Sequence, residues 1–192
     1  MQDVIEAWDR ADPRAIHPTR ATSEDAYWQS GTEQAAALAG VFKPGSRIVD
    51  VGCGDGRVAI PLQQLGYDVT GADSSSNMLR RLAETEPGIR TVQSTGPDLR
   101  EQLGRKQDGA YCLAVLIHHT RADALDIVRG IVAAVRKGGT VVLDWPVSDR
   151  PHERRHWIDV TTWDPSERDT AADTLGLDPI DSPLPWATYR VR

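Results

Sequence analysis

The chain has 192 residues, of which 40% are hydrophobic and 26% are charged, and its formal net charge is -6. This composition is typical of one soluble globular domain and excludes a wholly disordered chain, and no run approaches the roughly 18 apolar residues of a membrane span. Because binding to a phosphate backbone usually needs a basic surface, we expect neither nucleic acid nor a membrane as a partner.

Residues 1–44 are predicted to form a helical N-terminal segment. It opens with MQDVIEAWDR, which carries acidic residues where a signal peptide would have a basic and then an apolar stretch, so we expect a cytoplasmic protein. The most regular helix is predicted after Ser23, a residue type favoured at N-caps, and Tyr27 and Trp28 lie on it. Lys43-Pro44-Gly45 is predicted to end the segment.

Residues 45–145 alternate between short apolar or β-branched runs and helical stretches. The predicted strands are residues 47–51, 67–72, 89–93, 110–117 and 140–143. The predicted helices between them are residues 57–65, 76–84, 97–103 and 122–135, the last one stopped by Gly138-Gly139. Strands that alternate with helices form right-handed βαβ units, which predicts a parallel sheet covered by helices on both faces.

Residues 146–192 follow a different pattern. A polar loop leads to a weak helix over residues 165–175, and two extended pieces follow at 179–182 and 187–191. We predict that these pieces form a closing hairpin at the edge of the sheet, where prolines are tolerated. The whole chain is therefore predicted to be one domain, made of the segments 1–44, 45–145 and 146–192.

A glycine-rich loop follows the first predicted strand, in the sequence Asp50-Val51-Gly52-Cys53-Gly54-Asp55-Gly56. Glycines permit positive φ angles and lack the Cβ atoms that would keep a ligand away from the backbone, so the loop is a candidate ligand-binding turn. A glycine turn without a ligand is the alternative. An acid that accepts hydrogen bonds from both ribose hydroxyls is expected about 20 residues further on, at the end of the next strand, and Asp73 stands there.

The glycine spacing separates two classes of nucleotide cofactor. Dinucleotides such as NAD bind to G-x-G-x-x-G, whereas this loop reads G-x-G-x-G and has Arg57 at the position of the third glycine. Asp55 would also place a negative charge beside a pyrophosphate. A cofactor without phosphate avoids this repulsion, so an NAD-dependent reductase is disfavoured.

Four segments in this order resemble the class I S-adenosylmethionine-dependent methyltransferases. They are residues 50–56, which resemble the first motif of that family, and the segments 71–79, 108–119 and 135–143. The resemblance covers approximately residues 25–192. It implies a Rossmann-like three-layer α/β sandwich with a mostly parallel seven-stranded sheet, an antiparallel C-terminal edge hairpin and an N-terminal helical lid. It also implies S-adenosylmethionine as cofactor.

The resemblance assigns cofactor-binding roles to one set of residues, namely Asp50, Gly52, Cys53, Gly54, Asp73, Ser74, Thr95, Gly96, Leu113 and Ala114. The two loop glycines would border the methionine part of the cofactor, Asp50 would hold its amino group and Asp73 its ribose. Leu113 and Ala114 would form the wall beneath the methyl donor. The family often has an aspartate after the third strand for the adenine amino group, where this chain has Thr95, a weaker acceptor.

His118 and His119 follow the fourth predicted strand, where the resemblance places the edge of the reaction centre. Methyl transfer often needs a base, and histidine has a suitable pKa, so both are candidate catalytic residues with His118 favoured. The alternative is that one histidine caps the next helix or packs under the cofactor. Tyr27, Trp28 and Trp145 are candidate substrate contacts, with anchoring of the N-terminal helix or burial in the core as the alternatives.

The expected substrate is a small molecule that accepts a methyl group on an oxygen or nitrogen atom. Methyltransferases that modify exocyclic base amines carry an Asn/Asp-Pro-Pro-aromatic turn after the fourth strand, which this chain lacks, and Cys112 lies within a predicted strand rather than in a nucleophilic loop. No Cys/His cluster has zinc spacing, so no metal is expected. We expect a monomer or homodimer. The alternative function is a non-catalytic regulatory or assembly protein that binds S-adenosylmethionine or a nucleoside.

Overall fold

A computed structural model describes residues 2–10 and 23–192 of the chain. Two helices lie in the N-terminal segment, α1 (Gln2–Arg10) and α2 (Glu24–Ala39). Ser23 caps α2, since its side chain accepts a hydrogen bond from the Ala26 backbone N–H, as the sequence predicts. The sequence also predicts that Pro13 and Pro18 interrupt the helical segment, and both prolines lie outside the described residues.

The rest of the described chain forms a seven-stranded sheet in the order β3-β2-β1-β4-β5-β7-β6. Its strands are β1 (Arg47–Val51), β2 (Asp68–Asp73), β3 (Arg90–Gln93), β4 (Gln107–Cys112), β5 (Val135–Leu143), β6 (Leu177–Pro179) and β7 (Ala187–Val191). The first five strands are parallel to one another, and β7 is antiparallel to both of its neighbours. The predicted mostly parallel sheet with an antiparallel hairpin at its C-terminal edge is confirmed.

Helices cover both faces of this sheet. They are α3 (Ala59–Gln64), α4 (Ser76–Thr85), α5 (Leu99–Leu103), α6 (Arg121–Ala134) and α7 (Pro165–Thr174). One apolar cluster packs α5, α6 and α7 against the sheet, and a second packs α2, α3 and α4 against it. The three-layer sandwich is therefore confirmed, and burial of both apolar clusters stabilises it.

Two predicted boundaries in the centre of the chain are wrong. The fourth strand was expected to continue to Ile117, but β4 ends at Cys112, because Ala114 has a φ of 57° and Leu116–His118 forms a 3₁₀ turn. A non-glycine residue with positive φ cannot continue a strand. Gly138-Gly139 was expected to stop the preceding helix, but α6 already ends at Ala134 and both glycines lie within β5, next to an irregularity in its pairing with β4.

The C-terminal hairpin also differs from the prediction in its first strand. The extended piece was expected at residues 179–182, whereas β6 spans Leu177–Pro179. Pro179 ends this strand, which lies at the edge of the sheet, and so its missing N–H leaves no central ladder position unpaired. None of the helices in the described residues is long and apolar enough to cross a membrane.

Candidate functional site

A cavity of about 370 Å³ opens at the carboxyl ends of β1, β2 and β4. This edge is where open α/β sheets bind their ligands. The cavity is lined by every predicted cofactor-binding residue and by both predicted catalytic histidines, that is by Asp50, Gly52, Cys53, Gly54, Asp73, Ser74, Thr95, Gly96, Leu113, Ala114, His118 and His119. Residues far apart in the sequence are thus brought to one site, while their individual roles stay predictions.

The glycine loop between β1 and α3 presents bare backbone to this cavity. Gly52 and Gly54 have φ values of 78° and 55°, which L side chains rarely adopt. A Cβ on Gly52 would lie 2.1 Å from the Val115 side chain, whereas a Cβ on Gly54 would meet no protein atom within 4 Å. Gly52 is therefore required for packing, and Gly54 leaves open space for a ligand.

Asp73 stands at the end of β2 and holds the glycine loop in place. Its carboxylate accepts the backbone N–H of Gly54 at 2.9 Å and that of Ser75 at 2.8 Å. Burial raises the pKa of Asp73 above its ordinary value, although these two N–H groups favour the charged form. The carboxylate is thus both a structural acceptor and part of the cavity wall.

Asp50 lies at the end of β1 and is 4% exposed. Burial raises the pKa of Asp50 to about 7, and the neighbouring carboxylate of Asp73 adds to this effect. A cation beside Asp50 would reverse the shift, because an opposite charge stabilises the ionised form. This end of the cavity is therefore suited to a positively charged group.

The loop after β3 contributes Ser94, Thr95 and Gly96 to the cavity. A nearby acid, Asp98, accepts hydrogen bonds from the Ser94 hydroxyl at 2.7 Å and from the Thr95 backbone N–H at 3.1 Å. Asp98 is thus the carboxylate that follows this strand, and it holds the loop in shape. Among the described residues, it does not line the cavity. We find the cavity wall here to be formed by hydroxyl and backbone groups.

Both histidines of the cavity wall are buried, His118 being 8% and His119 7% exposed. The His118 Nδ1 atom lies 3.4 Å from the Asp159 carbonyl oxygen. The His119 Nδ1 atom is buried and has no hydrogen-bond partner among the described residues. Burial lowers the pKa of His118 below its ordinary value and that of His119 to about 4, so both imidazoles are neutral at pH 7.

The backbone that leads from β4 to these histidines is held in an unusual conformation. Ala114 has a φ of 57°, and its N–H donates to the Asp144 carboxylate at 3.2 Å. Residues held in the left-handed region persist only where the surrounding structure fixes them, and such positions cluster at ligand sites. Asp144, at the end of β5, is the residue that fixes this turn.

Helix α1 covers the cavity with one apolar face. Val4, Ile5 and Trp8 line the cavity, and the Trp8 ring lies 5.6 Å from that of His118, measured between centroids. The spacing of Val4 and Trp8, four residues apart, places both on one side of the helix. This spacing is the sequence signal that would have identified α1 as a cavity wall.

Polar contacts anchor both ends of α1 to segments that border the cavity. Near its start, Asp3 accepts hydrogen bonds from the Arg154 guanidinium at 3.0 Å. Near its end, the Asp9 carboxylate accepts a hydrogen bond from the Ser75 hydroxyl at 2.7 Å. The arrangement is compatible with the predicted N-terminal lid, and opening of this helix stays a prediction.

Among the predicted substrate contacts, Tyr27 alone lines the cavity in the described part of the chain. Its hydroxyl donates to the Asp55 carboxylate at 2.7 Å, which ties α2 to the glycine loop. Trp28 packs edge-on against Tyr27 with ring centroids 5.4 Å apart, outside the cavity wall. Trp28 is thus placed as an anchor of the helix.

The expectation that Trp145 forms a substrate wall does not agree with the structure. Trp145 is 2% exposed and packs edge-on against Trp163 and Tyr189, with centroid distances of 5.5 and 6.4 Å. It belongs to the apolar cluster that α6 and α7 cover, and the described residues that line the cavity do not include it. The side chain after β5 is turned into the core because three aromatic rings fill the space there.

Sequence reasoning missed several residues of the cavity wall besides α1. They include Arg57, Met78, Tyr111, Ile158 and Val160. The last two are exposed side chains of the C-terminal loop, where no periodicity indicates which apolar side chains border the cavity. As to metals, the described residues contain no group of three or more His, Cys, Asp or Glu side chains that would hold an ion.

Part of the sequence is similar to known methyltransferases. Residues 48–139 match the family model of a methyltransferase domain. A ubiquinone biosynthesis O-methyltransferase of Bordetella avium is 36% identical over 110 residues, which are 54% of this chain and 44% of that protein. A magnesium-protoporphyrin O-methyltransferase of Synechocystis is 39% identical over 88 residues, 42% of this chain and 36% of that protein. The matched part is thus less than half of the length of either relative.

Solved structures with the same fold cover nearly the whole chain. The methyltransferase CcbJ from Streptomyces caelestis aligns with a TM-score of 0.70 at 17% identity, covering 98% of this chain and 96% of that one. The magnesium protoporphyrin IX methyltransferase of Synechocystis with bound S-adenosylhomocysteine aligns with a TM-score of 0.67 at 19% identity, covering 96% and 91%. At these identities, the likeness establishes the fold.

Proposed function

We propose that this chain is a class I methyltransferase that transfers a methyl group from S-adenosylmethionine to a hydroxyl oxygen of an apolar small molecule, a proposal that the methyltransferase-domain match over residues 48–139 supports. One observation carries the proposal. A single cavity is lined in one part by the Asp50 and Asp73 carboxylates and a glycine loop, and in another part by two buried, neutral histidines. The curated relatives described above are named O-methyltransferases, which supports oxygen as the acceptor.

The residues in the first part of the cavity fit an adenosyl cofactor with an amino-acid group. The Asp73 carboxylate would accept hydrogen bonds from the ribose hydroxyls, and an ammonium group beside the buried Asp50 carboxyl would favour its ionised form. The open space beside Gly54 admits a ligand against the backbone. When bound, this cofactor supplies an electrophilic methyl group on a sulfonium ion.

The fit at Gly54 leads to a test with a matched pair of variants. We expect Gly54→Ala to weaken binding of S-adenosylhomocysteine at least tenfold, because its Cβ enters the cavity. Gly45→Ala is the control, since Gly45 has a φ of 71° and equally free space but lies in the exposed turn before β1. Both variants should lose about 1–2 kcal/mol of stability from backbone strain. Equal affinities in the two variants, measured by calorimetry, would contradict the placement of the cofactor.

In the second part of the cavity, His118 is arranged as a general base. Its Nδ1 faces a backbone carbonyl, which only accepts hydrogen bonds, so the ring proton lies on Nδ1 and leaves the lone pair on Nε2. The lowered pKa of His118 keeps the imidazole neutral at pH 7, the form that removes a proton. A hydroxyl group held at Nε2 would lose its proton to that atom as its oxygen takes the methyl group, and the bond between methyl and sulfur would break to leave S-adenosylhomocysteine.

The wall around the histidines favours an apolar acceptor. It consists of Val4, Ile5 and Trp8 from α1 together with Ile158 and Val160 from the C-terminal loop. The only cation held close to this part of α1, Arg154, is already paired with Asp3 among the described residues. A ring that bears a hydroxyl group suits such a surface better than a charged amine, because burial of an unpaired charge is costly.

The proposal is tested with the full chain, methyl-labelled S-adenosylmethionine and a library of phenols, each paired with its O-methyl ether and with the corresponding benzylamine, which is charged at pH 7. We expect label in phenols and none in the ethers, with benzylamines far slower. Label in benzylamines alone would contradict oxygen as the acceptor. Binding of the cofactor without transfer to any acceptor, including cell extract, would favour the non-catalytic binding protein.

A further inference from the structure

The buried hydroxyl of Tyr111 has no partner in hydrogen-bond geometry among the described residues. Tyr111 lies in β4 and is 0% exposed. A buried hydroxyl without a partner is costly, because it gives up its bonds to water and gains none, and such groups in folded proteins call for a ligand or another explanation.

The position of Tyr111 indicates what that ligand group is. Tyr111 is opposite Asp50 in the parallel pairing of β4 with β1, so the two side chains lie on the same face of the sheet, and both line the cavity. The Tyr111 hydroxyl approaches the Asp50 carboxyl closely enough to lower the pKa of Asp50 against the effect of burial, although the two groups do not reach hydrogen-bond geometry. Burial raises the pKa of the Tyr111 phenol well above its ordinary value, so its proton stays available for donation.

A cation lies at the same end of the cavity. The Arg57 guanidinium lines the cavity and donates to two neutral acceptors, the Ser30 hydroxyl at 2.9 Å and the Gln34 amide oxygen at 2.8 Å. Within the described residues, Arg57 has no carboxylate in ion-pair contact. This end therefore offers an acceptor for an ammonium group, Asp50, beside two donors for a carboxylate, Tyr111 and Arg57.

We propose that Tyr111 is a binding residue for the amino-acid group of the adenosyl cofactor, with its hydroxyl donating to the α-carboxylate while Asp50 accepts from the ammonium group. The inference rests on the proposed function and extends it to a residue that the glycine motif does not contain. The Tyr111 hydroxyl is thus expected to make no hydrogen bond in the free protein and to donate one to the cofactor in the complex.

The test compares two ligands on the Tyr111→Phe variant of the full chain. S-adenosylhomocysteine carries the amino-acid group, whereas 5′-methylthioadenosine lacks it and keeps the adenosine. We expect Tyr111→Phe to bind S-adenosylhomocysteine about tenfold more weakly, as expected for a lost hydrogen bond to a charged group, and to bind 5′-methylthioadenosine as the wild type does. The melting temperature of the free variant should be unchanged or higher.

A second tyrosine serves as the control. The Tyr67 hydroxyl donates to the Ala39 and Phe42 carbonyl oxygens at 3.0 and 3.2 Å, away from the cavity. Tyr67→Phe should therefore lower the melting temperature and leave both affinities unchanged. If the wild type binds S-adenosylhomocysteine and Tyr111→Phe binds it equally well, or loses both ligands equally, this inference alone is wrong. If the wild type binds neither ligand, the proposed function fails with it.

Discussion

We expect His118→Ala to lower kcat by about 10²–10⁴-fold, the usual contribution of a general base, while the affinity for S-adenosylhomocysteine changes little. The physical reason is the contact of His118 Nδ1 with the Asp159 carbonyl, which would leave Nε2 free to act as the proposed base. Steady-state kinetics with the best phenol from the acceptor screen gives kcat, and calorimetry gives the affinity.

The controls for this variant separate a base from a packed residue. His119→Ala should have a milder effect, and His156→Ala, which changes an exposed histidine outside the cavity wall, should have none. If His118→Ala retains most of its turnover, or loses melting temperature at normal kcat, the histidine is structural and catalysis rests on proximity alone.

The same assignment fixes the sign of the pH dependence. A base acts in its deprotonated form, so kcat falls as the pH drops through the pKa of His118, which burial places below the ordinary 6.5. With an acceptor whose own pKa lies outside the range, the wild type should keep its full rate at pH 7 and lose it only in more acidic buffer. The residual kcat of His118→Ala should not show this fall in acidic buffer.

The second large effect is expected at Asp73. A carboxylate that accepts two ribose hydroxyls makes charge-assisted bonds of about 1.5–3 kcal/mol each, so Asp73→Ala should weaken the binding of S-adenosylhomocysteine at least tenfold. The structure adds a cost to the fold, because the N–H groups of Gly54 and Ser75 lose their acceptor. A lower melting temperature should therefore accompany the loss of affinity.

A conservative variant and a control from the same strand distinguish these two effects. Asp73→Asn keeps one acceptor oxygen and should bind with intermediate affinity. Asp68→Ala removes an exposed carboxylate at the start of β2, whose ion pair with Arg105 lies on the surface, and should change neither quantity much. Wild-type affinity in Asp73→Ala would mean that the ribose binds elsewhere.

The sequence was informative wherever a local rule governs the backbone. The glycine loop, the acid after the second strand and the cap at Ser23 follow from steric and hydrogen-bonding rules that need no tertiary context. The alternation of strands and helices, with the right-handed connection, then fixes which residues meet at the carboxyl edge of the sheet. All predicted cofactor-binding residues therefore line one cavity.

The errors arose where tertiary packing overrides local preference. The apolar run after β4 has the composition of a buried strand, yet Asp144 holds Ala114 at a positive φ and turns the chain. Trp145 was placed at the edge by its position after β5, but the rings of Trp163 and Tyr189 draw it into the core. In each case the deciding partner is distant in sequence.

Tyr111 illustrates a further limit. In the sequence, it is one of several residues in an apolar run, and its hydroxyl has no visible significance. Only the pairing of β4 with β1 places it opposite Asp50 at the cavity. The role of a polar side chain inside a strand thus depends on which residue it faces on the neighbouring strand, and a single sequence does not give that pairing.

The central claim is that the cavity beside the glycine loop binds S-adenosylmethionine, and calorimetry on the full chain tests it most directly. S-adenosylmethionine and S-adenosylhomocysteine should each give a saturable heat of binding at one site per chain. NAD should give none, because Arg57 stands where the dinucleotide pattern has its third glycine and Asp55 would repel a pyrophosphate. Tight binding of NAD with no response to either adenosyl compound would contradict the account.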